Sequence, residues 1–599
     1  MKDFFKYMTA TICGIIVFTI IIALLFALTL TGLMASDTKV SAKDNSVFVL
    51  KMPGLVSERA DEASPIDDIL GMAGVDAMGL DDIVKAIRLA ADEENIKGIY
   101  IEGGTTAFDS PATAQQIRDA LLDFKKSGKW LYAYADHMMQ ASYYVLSAAD
   151  SVFLNKTGLI DFKGLGGKSQ YMTGLLEKLG IKMQAARVGK YKSYVESVTR
   201  KDMSAEDLEQ RKAYLDGIWK QWTQQMGDSR KVAAERLDSL ASDSIMLFAS
   251  TDDYLSAHLI DRVFYPEEMK KVVTRKLGLD DDEEVNQLTL DDMLRLKPSK
   301  KVREKGAEIA VYYAYGEIVD ETVSNFLASG HSIVGEPTVK DLRKLASDDN
   351  VKAVVLRVNS GGGSAIASEQ IWHAIQQLKE KKPVVVSMGG VAASGGYMIS
   401  CGANYIFAEP TTITGSIGIF GLIPNYSGLV TDKLGVTWDG YSTNRFSDYE
   451  TSLIFGSDNS EEMRFMQGYI DRGYENFLSI VGQGRGMTKD EVNEIAQGRV
   501  WLATDALGIK LVDELGSLDD AVKKAAELAK ADEYHTTNYP AKVGWMDSLL
   551  SSTEESATSN LDSQLRLLLG ELYEPIMQLR LDEQRNRLQA RLPFDVSVK

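Results

Sequence analysis

Two stretches of the chain, "VKAIRLAADEENIKGIYI" at residues 84–101 and "VKDLRKLASDDNVKAVVL" at residues 339–356, align without a gap. Six positions are identical and most of the others exchange residues of like kind. Each stretch reads as an amphipathic helix, an acidic turn and a buried apolar strand. The same offset of 255 carries "LGI" at 179 onto "LGV" at 434, and "YLDGIWKQW" at 214 onto "YIDRGYENF" at 469. An offset kept over about 130 residues marks an internal repeat, two copies of one domain of about 220–240 residues.

Within a copy, the short apolar runs "AVVLRV", "PVVVSM" and "NYIFAEP" alternate with helical stretches such as "ASEQIWHAIQQLKEK". That alternation predicts an α/β fold with a largely parallel sheet covered by helices. The copies are expected at 45–280 and 307–535, joined by a polar linker at 281–306. Residues 536–599 read as a linker, "SSTEESATSN", followed by a Leu/Arg/Glu-rich helical segment. At 599 residues the chain exceeds what one core sustains.

A net charge of −19 argues against a nucleic-acid partner, which needs a basic surface. The two cysteines, Cys13 and Cys401, are not expected to pair, because Cys13 lies in the N-terminal apolar run. From Met8 to Met34 that run carries no charge. It is long enough to cross a hydrocarbon core, and longer than the apolar part of a cleaved signal peptide. Residues 1–36 are therefore expected to form a cytoplasmic N-terminus and an uncleaved signal anchor. Lys2 and Lys6 ahead of the run place the rest of the chain outside.

Chemistry concentrates in "GGVAASGGYMIS" at 389–400, where a strand gives way to a helix. Ser394 there is either a helix cap or a nucleophile. Gly395 and Gly396 leave approach to it open, and the Gly395 amide can face an oxyanion. "NSGGGS" at 359–364 leaves the preceding strand with further backbone amides, but lacks the Lys-Ser/Thr of a phosphate-binding loop. None of the five histidines sits in a strand-end loop beside a carboxylate, so a Ser-His-Asp triad is not supported. No metal-ligand spacing occurs, and neither cofactor nor metal is expected. A lysine is left as base, provided burial lowers its pKa.

Three segments together resemble signal peptide peptidase A of the long, membrane-anchored, duplicated type. They are "AASGGYMISCGANYIFAEPTTITGSIGIFG" (392–421), "RVNSGGGS" (357–364) and "RVGKYKSYVES" (187–197). The resemblance runs from about residue 40 to residue 535, and implies two tandem Clp protease/crotonase-like domains and a Ser/Lys dyad. It puts the nucleophile on Ser394, the general base on Lys192 (with Lys190 the rival) and an assisting hydroxyl on Ser416. Gly395, Gly362 and Gly363 would form the oxyanion hole, although Gly361 stands where similar proteins carry proline. It further implies cleaved signal peptides and other hydrophobic peptides as substrates, and a homotetramer. The site of action would be a bacterial inner membrane, crossed once, with the catalytic part on the periplasmic side.

In the first copy the serine segment reads "MMQASYYVLSAAD", where Tyr143 and Tyr144 are expected to block the place of the glycine pair. In the second copy Arg445 or Phe446 is expected opposite Lys192. Each half then keeps one partner, and the dyad must form across the two. Two rival readings are a crotonase-type acyl-CoA enzyme and a non-catalytic peptide-binding scaffold at the membrane.

Overall fold

The computed structural model describes residues 40–60, 77–243, 246–280, 283–297, 306–321, 331–542 and 589–591. The expected signal anchor lies outside the described residues, as does nearly all of the expected C-terminal helical segment. Among the described residues, no helix is long and apolar enough to cross a membrane.

The first copy is built from β1 (Ser46–Lys51), α1 (Leu80–Asp92), β2 (Ile96–Glu102), α2 (Pro111–Lys125) and β3 (Trp130–Met138). It continues with α3 (Gln140–Leu146), β4 (Ser151–Ile160), β5 (Lys182–Val188) and α4 (Ala205–Arg230). Helix α1 forms because Leu80, Ile83, Ala86, Ile87 and Ala90 recur at helical spacing and are buried, while Asp81 and Asp82 meet the positive end of its dipole. Strands β1 to β4 lie side by side in order and parallel, with short strands at 287–288 and 262–263 on the two edges. Residues 287–294, expected as linker, thus belong to the first copy. Gln287 and Leu288 pair with β1, and the helix Leu290–Leu294 follows behind a Thr289–Asp292 capping box.

The second copy repeats the plan with β6 (Ala307–Tyr315), α5 (Gly335–Ser347), β7 (Val351–Ser360), β8 (Gly362–Ser364), α6 (Ala365–Lys379) and β9 (Val384–Ala393). There follow α7 (Gly395–Ser400), β10 (Ile413–Gly415), β11 (Ile419–Asn425), α8 (Ser460–Arg485) and β12 (Val500–Leu502). Its main sheet runs β12-β10-β9-β7-β6 and ends on Tyr534–Tyr539. Every residue of β9 is buried, as expected of a central parallel strand covered on both faces.

Another six-stranded sheet joins the halves. Strand β5 leaves the first copy and pairs antiparallel with β11 of the second, in register from Val188↔Ile419 to Lys182↔Asn425. Farther along the domain contact, Arg357 donates to Glu58 (Nε to Oε1, 2.7 Å), both fully or nearly fully buried. The other side of β11 meets β13 (Gln589–Arg591), which also pairs antiparallel with β8. Residues 589–591 were expected to be helical. Their backbone is extended because partners on both flanks satisfy it.

Candidate active site

Strand β9 runs straight into α7, and the turn between them strains Ser394 into φ 55°, ψ −116°, a region that non-glycine residues seldom adopt. Such a strand-to-helix elbow lifts a side chain clear of its own helix. The Ser394 hydroxyl makes no cap hydrogen bond to α7, so the cap reading fails. The turn is held by the Ser394 amide, which donates to the Gly415 carbonyl at 2.8 Å. Gly396 is required because a Cβ there would stand 2.3 Å from the Ser360 carbonyl oxygen. Gly395 opens α7, so its N–H has no acceptor within the helix.

Lys192 reaches this serine from the other half. After β5 the chain turns at Gly189, whose Cβ would stand 2.4 Å from the Gln497 backbone, and delivers Lys192 onto Gly498. A side chain at Gly498 (φ +76°) would stand 2.7 Å from the Lys192 Cβ, so the close approach of the two domains depends on that glycine. Lys192 is completely buried. Its Nζ lies 2.7 Å from Ser394 Oγ, 3.0 Å from Ser416 Oγ and 3.1 Å from the Ser416 carbonyl. Burial alone holds the amine well below its ordinary pKa. That shift favours the neutral amine, whose lone pair can take the hydroxyl proton of Ser394. Ser416, itself at φ 50°, is fixed by its amide donating to the Arg499 carbonyl at 2.7 Å.

Lys190 points outward, its Nζ 5.0 Å from the Tyr191 ring centroid, and does not enter the site. Gly362 (φ 98°) and Gly363 (φ 154°) lie in β8. The Gly362 amide donates to Ser360 Oγ at 3.1 Å, and Gly363 packs its backbone against the Ile318 carbonyl. Of the three expected oxyanion glycines, Gly395 thus adjoins Ser394 in sequence, while the other two form the rim of the slot that holds β13.

Sequence reading missed the residues that clamp the lysine loop. Gln210, on α4, donates to the Tyr191 carbonyl (3.2 Å) and Ser193 Oγ (3.0 Å), and its Oε1 accepts from the Val500 amide (3.2 Å). Arg499 donates to Glu209 (2.6 Å) and to the Tyr191 hydroxyl (2.9 Å). Nothing in "DLEQRKAY" marks Gln210, because its role exists only once the domains are docked.

The first copy holds a degenerate version of the same elbow, and the expected blockers are not the tyrosines. Tyr143 and Tyr397 are used alike, one turn into their helices. Each hydroxyl donates to a carbonyl after the long helix of its copy, Leu259 at 2.9 Å and Leu511 at 3.0 Å. Tyr144 stacks on Trp222 in the core. Ser394 stands just ahead of α7, and the residue just ahead of α3 is Met139, with Gln140 and Ala141 in the places of Gly395 and Gly396. The Gln140 side chain is consumed locally, accepting from the Lys163 and Gly164 amides (2.9 and 2.8 Å) and donating to the Gly164 carbonyl (2.9 Å). Opposite Lys192, equal spacing from the left-handed Gly180 and Gly435 puts Ser447, one residue beyond the expected Phe446. The first copy has no serine in the place of Ser394, and the second has no lysine in the place of Lys192.

Against known families, the chain matches peptidase family S49 twice, at residues 123–280 and 376–532, and Clp protease at residues 307–412. The chain belongs to peptidase family S49. One S49 match lies within each copy, and the Clp protease match covers the sheet that leads into the Ser394 elbow. Protease 4 of Haemophilus influenzae is 35% identical over 553 residues, 89% of this chain and 87% of that one. Protease 4 of Salmonella typhi is 35% identical over 82% of this chain and 78% of its own. The chloroplastic serine protease SPPA of Arabidopsis thaliana is 28% identical over 74% and 64%. This S49 peptidase is accordingly a serine protease, which sets aside the acyl-CoA and scaffold readings.

Proposed function

We propose that Ser394 is the nucleophile, Lys192 the general base and Ser416 the hydroxyl that orients the amine, in a membrane-anchored endopeptidase that degrades cleaved signal peptides and other hydrophobic peptides. The observation that carries this reading is a completely buried lysine amine 2.7 Å from a strained serine hydroxyl, with burial the one cause of its depressed pKa.

Ser394 Oγ attacks the scissile carbonyl as its proton passes to Lys192 Nζ. The Gly395 amide, at the positive end of α7, stabilises the tetrahedral oxyanion. The ammonium so formed gives its proton to the departing amine, leaving an acyl-enzyme. Neutral again, Nζ takes a proton from water, and the hydroxide opens the acyl ester. Ser416 Oγ and its carbonyl keep Nζ aimed at Oγ through both steps.

The slot between β8 and β11 supports an extended substrate. It accepts a strand antiparallel to both walls, as residues 589–591 do here. Main-chain bonds on two sides bind a peptide largely regardless of sequence. That suits hydrophobic segments with little else in common. The resemblance adds a homotetramer at a bacterial inner membrane, with residues 8–34 as anchor and the site on the periplasmic side.

The test is digestion of a synthetic signal peptide by the full-length protein, Ser394→Ala and Lys192→Ala in parallel. Both variants are expected to lose at least about a hundredfold in rate while keeping native thermal unfolding. Hydrolysis by Lys192→Ala at the parent rate would overturn the assignment.

A further inference from the structure

The strand that delivers Ser394 is irregular just ahead of it. Strands β7 and β9 pair in step from Val354↔Val384 to Val358↔Met388, and the next pair is Ser360↔Ala392. Two steps along β7 thus match four along β9. Gly389, Gly390 and Val391 stand opposite the single residue Asn359, as a bulge with two extra residues. A bulge beside an active site re-aims the chain that leaves it, and this chain carries Ser394.

The bulge is held from the first copy. Asn359 fills it, its Oδ1 accepting from the Val391 amide at 3.1 Å. Its Nδ2 donates to Glu58 Oε2 (3.2 Å) and to Asp109 Oδ2 (3.3 Å), both carboxylates of the first copy. Arg357 donates to Glu58 through Nε and Nη2 (2.7 and 3.3 Å), and through Nη1 to Ser387 Oγ (2.9 Å) and the Met388 carbonyl (3.4 Å). Glu58 therefore grips β7 directly and β9 through the guanidinium. The bulge glycines make room for this grip. A Cβ on Gly389 would stand 2.9 Å from Glu58 Oε2, and one on Gly390 would stand 2.1 Å from Ser110 Oγ. At the 255-residue offset Glu102 and Gly104 occupy the places of Arg357 and Asn359. The first copy builds its own sheet without this clamp, so the clamp accompanies the serine rather than the fold.

We propose that Glu58, Asp109 and Ser110 of the first copy, acting through Asn359 and Arg357, are positioning residues that set the β9 bulge and so aim Ser394 Oγ at Lys192 Nζ. The first copy then supplies the aim of the nucleophile as well as the base, and the 2.7 Å approach is fixed from both ends. None of the five residues touches the reacting atoms. A shifted bulge moves the serine against the amine, so the loss belongs in kcat and in nucleophile reactivity more than in KM. This inference rests on the catalytic reading of Ser394 and Lys192.

The test is the rate at which a fluorophosphonate labels Ser394 in the full-length protein. Gly390→Ala drives a methyl group into Ser110 and should label at least about tenfold more slowly than the parent, with kcat for a peptide ester lowered and KM little changed. Ser110→Gly removes the atoms that the methyl group meets, and glycine serves nearly as well as serine at this helix cap. Adding Ser110→Gly to Gly390→Ala should therefore raise the labelling rate again by at least about fivefold, which general damage to the fold would not allow. Asn359→Ala adds no bulk and carries the test where Gly390→Ala does not fold. It should label at least about fivefold more slowly than the parent while still unfolding cooperatively. Parent-rate labelling of Gly390→Ala or Asn359→Ala, or no recovery in the double variant, would overturn the proposal while leaving the dyad intact. A parent chain that takes no label at Ser394 would overturn the catalytic reading on which the proposal rests.

Discussion

Gly498 shows how little room the site has. Its Cα is where the first copy's lysine loop touches the second copy, at a left-handed φ. Gly498→Ala should push Lys192 away from Ser394 and store about 1–3 kcal/mol of backbone strain. The expected result is a fall in kcat for a peptide ester with KM little changed, read by steady-state kinetics. A buried carboxylate offers a second test at this scale. Glu409 is 3% exposed, its Oε1 has no hydrogen-bond partner among the described residues, and desolvation raises its pKa to about 8. The folded protein then holds a proton that the unfolded chain releases near 4.5. Between those pH values the native state binds more protons, so this group makes stability fall as pH rises. Glu409→Gln removes that term. Its melting temperature relative to the parent should climb from about pH 4.5 to about pH 8 and level off above, as followed by calorimetry. Ser394 was legible from the small residues around it, and Lys192 and Ser416 through the family resemblance of their motifs. Gln210, Gln140 and Glu409 were not, since each acts through a neighbour distant in sequence.

Among elements, the strands and helices of the two sheets follow from periodicity, and the strand-to-helix turn at Ser394 from its small residues. The element that periodicity misread is β13. A Leu/Arg-rich pattern favours helix, but the open backbone edges of β8 and β11 offer hydrogen bonds on both sides, and tertiary pairing overrides local propensity. Because β13 fills the slot that a substrate strand would enter, deleting residues 589–599 should lower KM for a signal peptide. For a slot filled about nine-tenths of the time the fall is about tenfold, with kcat unchanged. An unchanged KM in a peptide-hydrolysis assay would show that β13 does not compete with substrate.

For the whole molecule, the repeat was the decisive signal in the sequence, because a fixed offset reports two equivalent folds before any element is assigned. What it could not report is how the copies dock. The β5–β11 pairing, the Glu58–Arg357 ion pair and the meeting of Lys192 with Ser394 all arise from that docking. Each copy contributes one side chain of the Lys192–Ser394 pair, which forms only where the two copies meet. The central claim is that a neutral Lys192 amine, supplied by one half, activates the serine of the other. Its most direct test is the rate at which a fluorophosphonate labels Ser394, measured against pH in the parent and in Lys192→Met. A Lys whose folded pKa is depressed is charged and inactive at low pH and becomes a base as pH rises through that value. The parent rate should therefore rise with pH through an ionisation well below 10.5 and then level off. Lys192→Met should label slowly at every pH with that ionisation gone. The same rising limb in Lys192→Met would contradict the account.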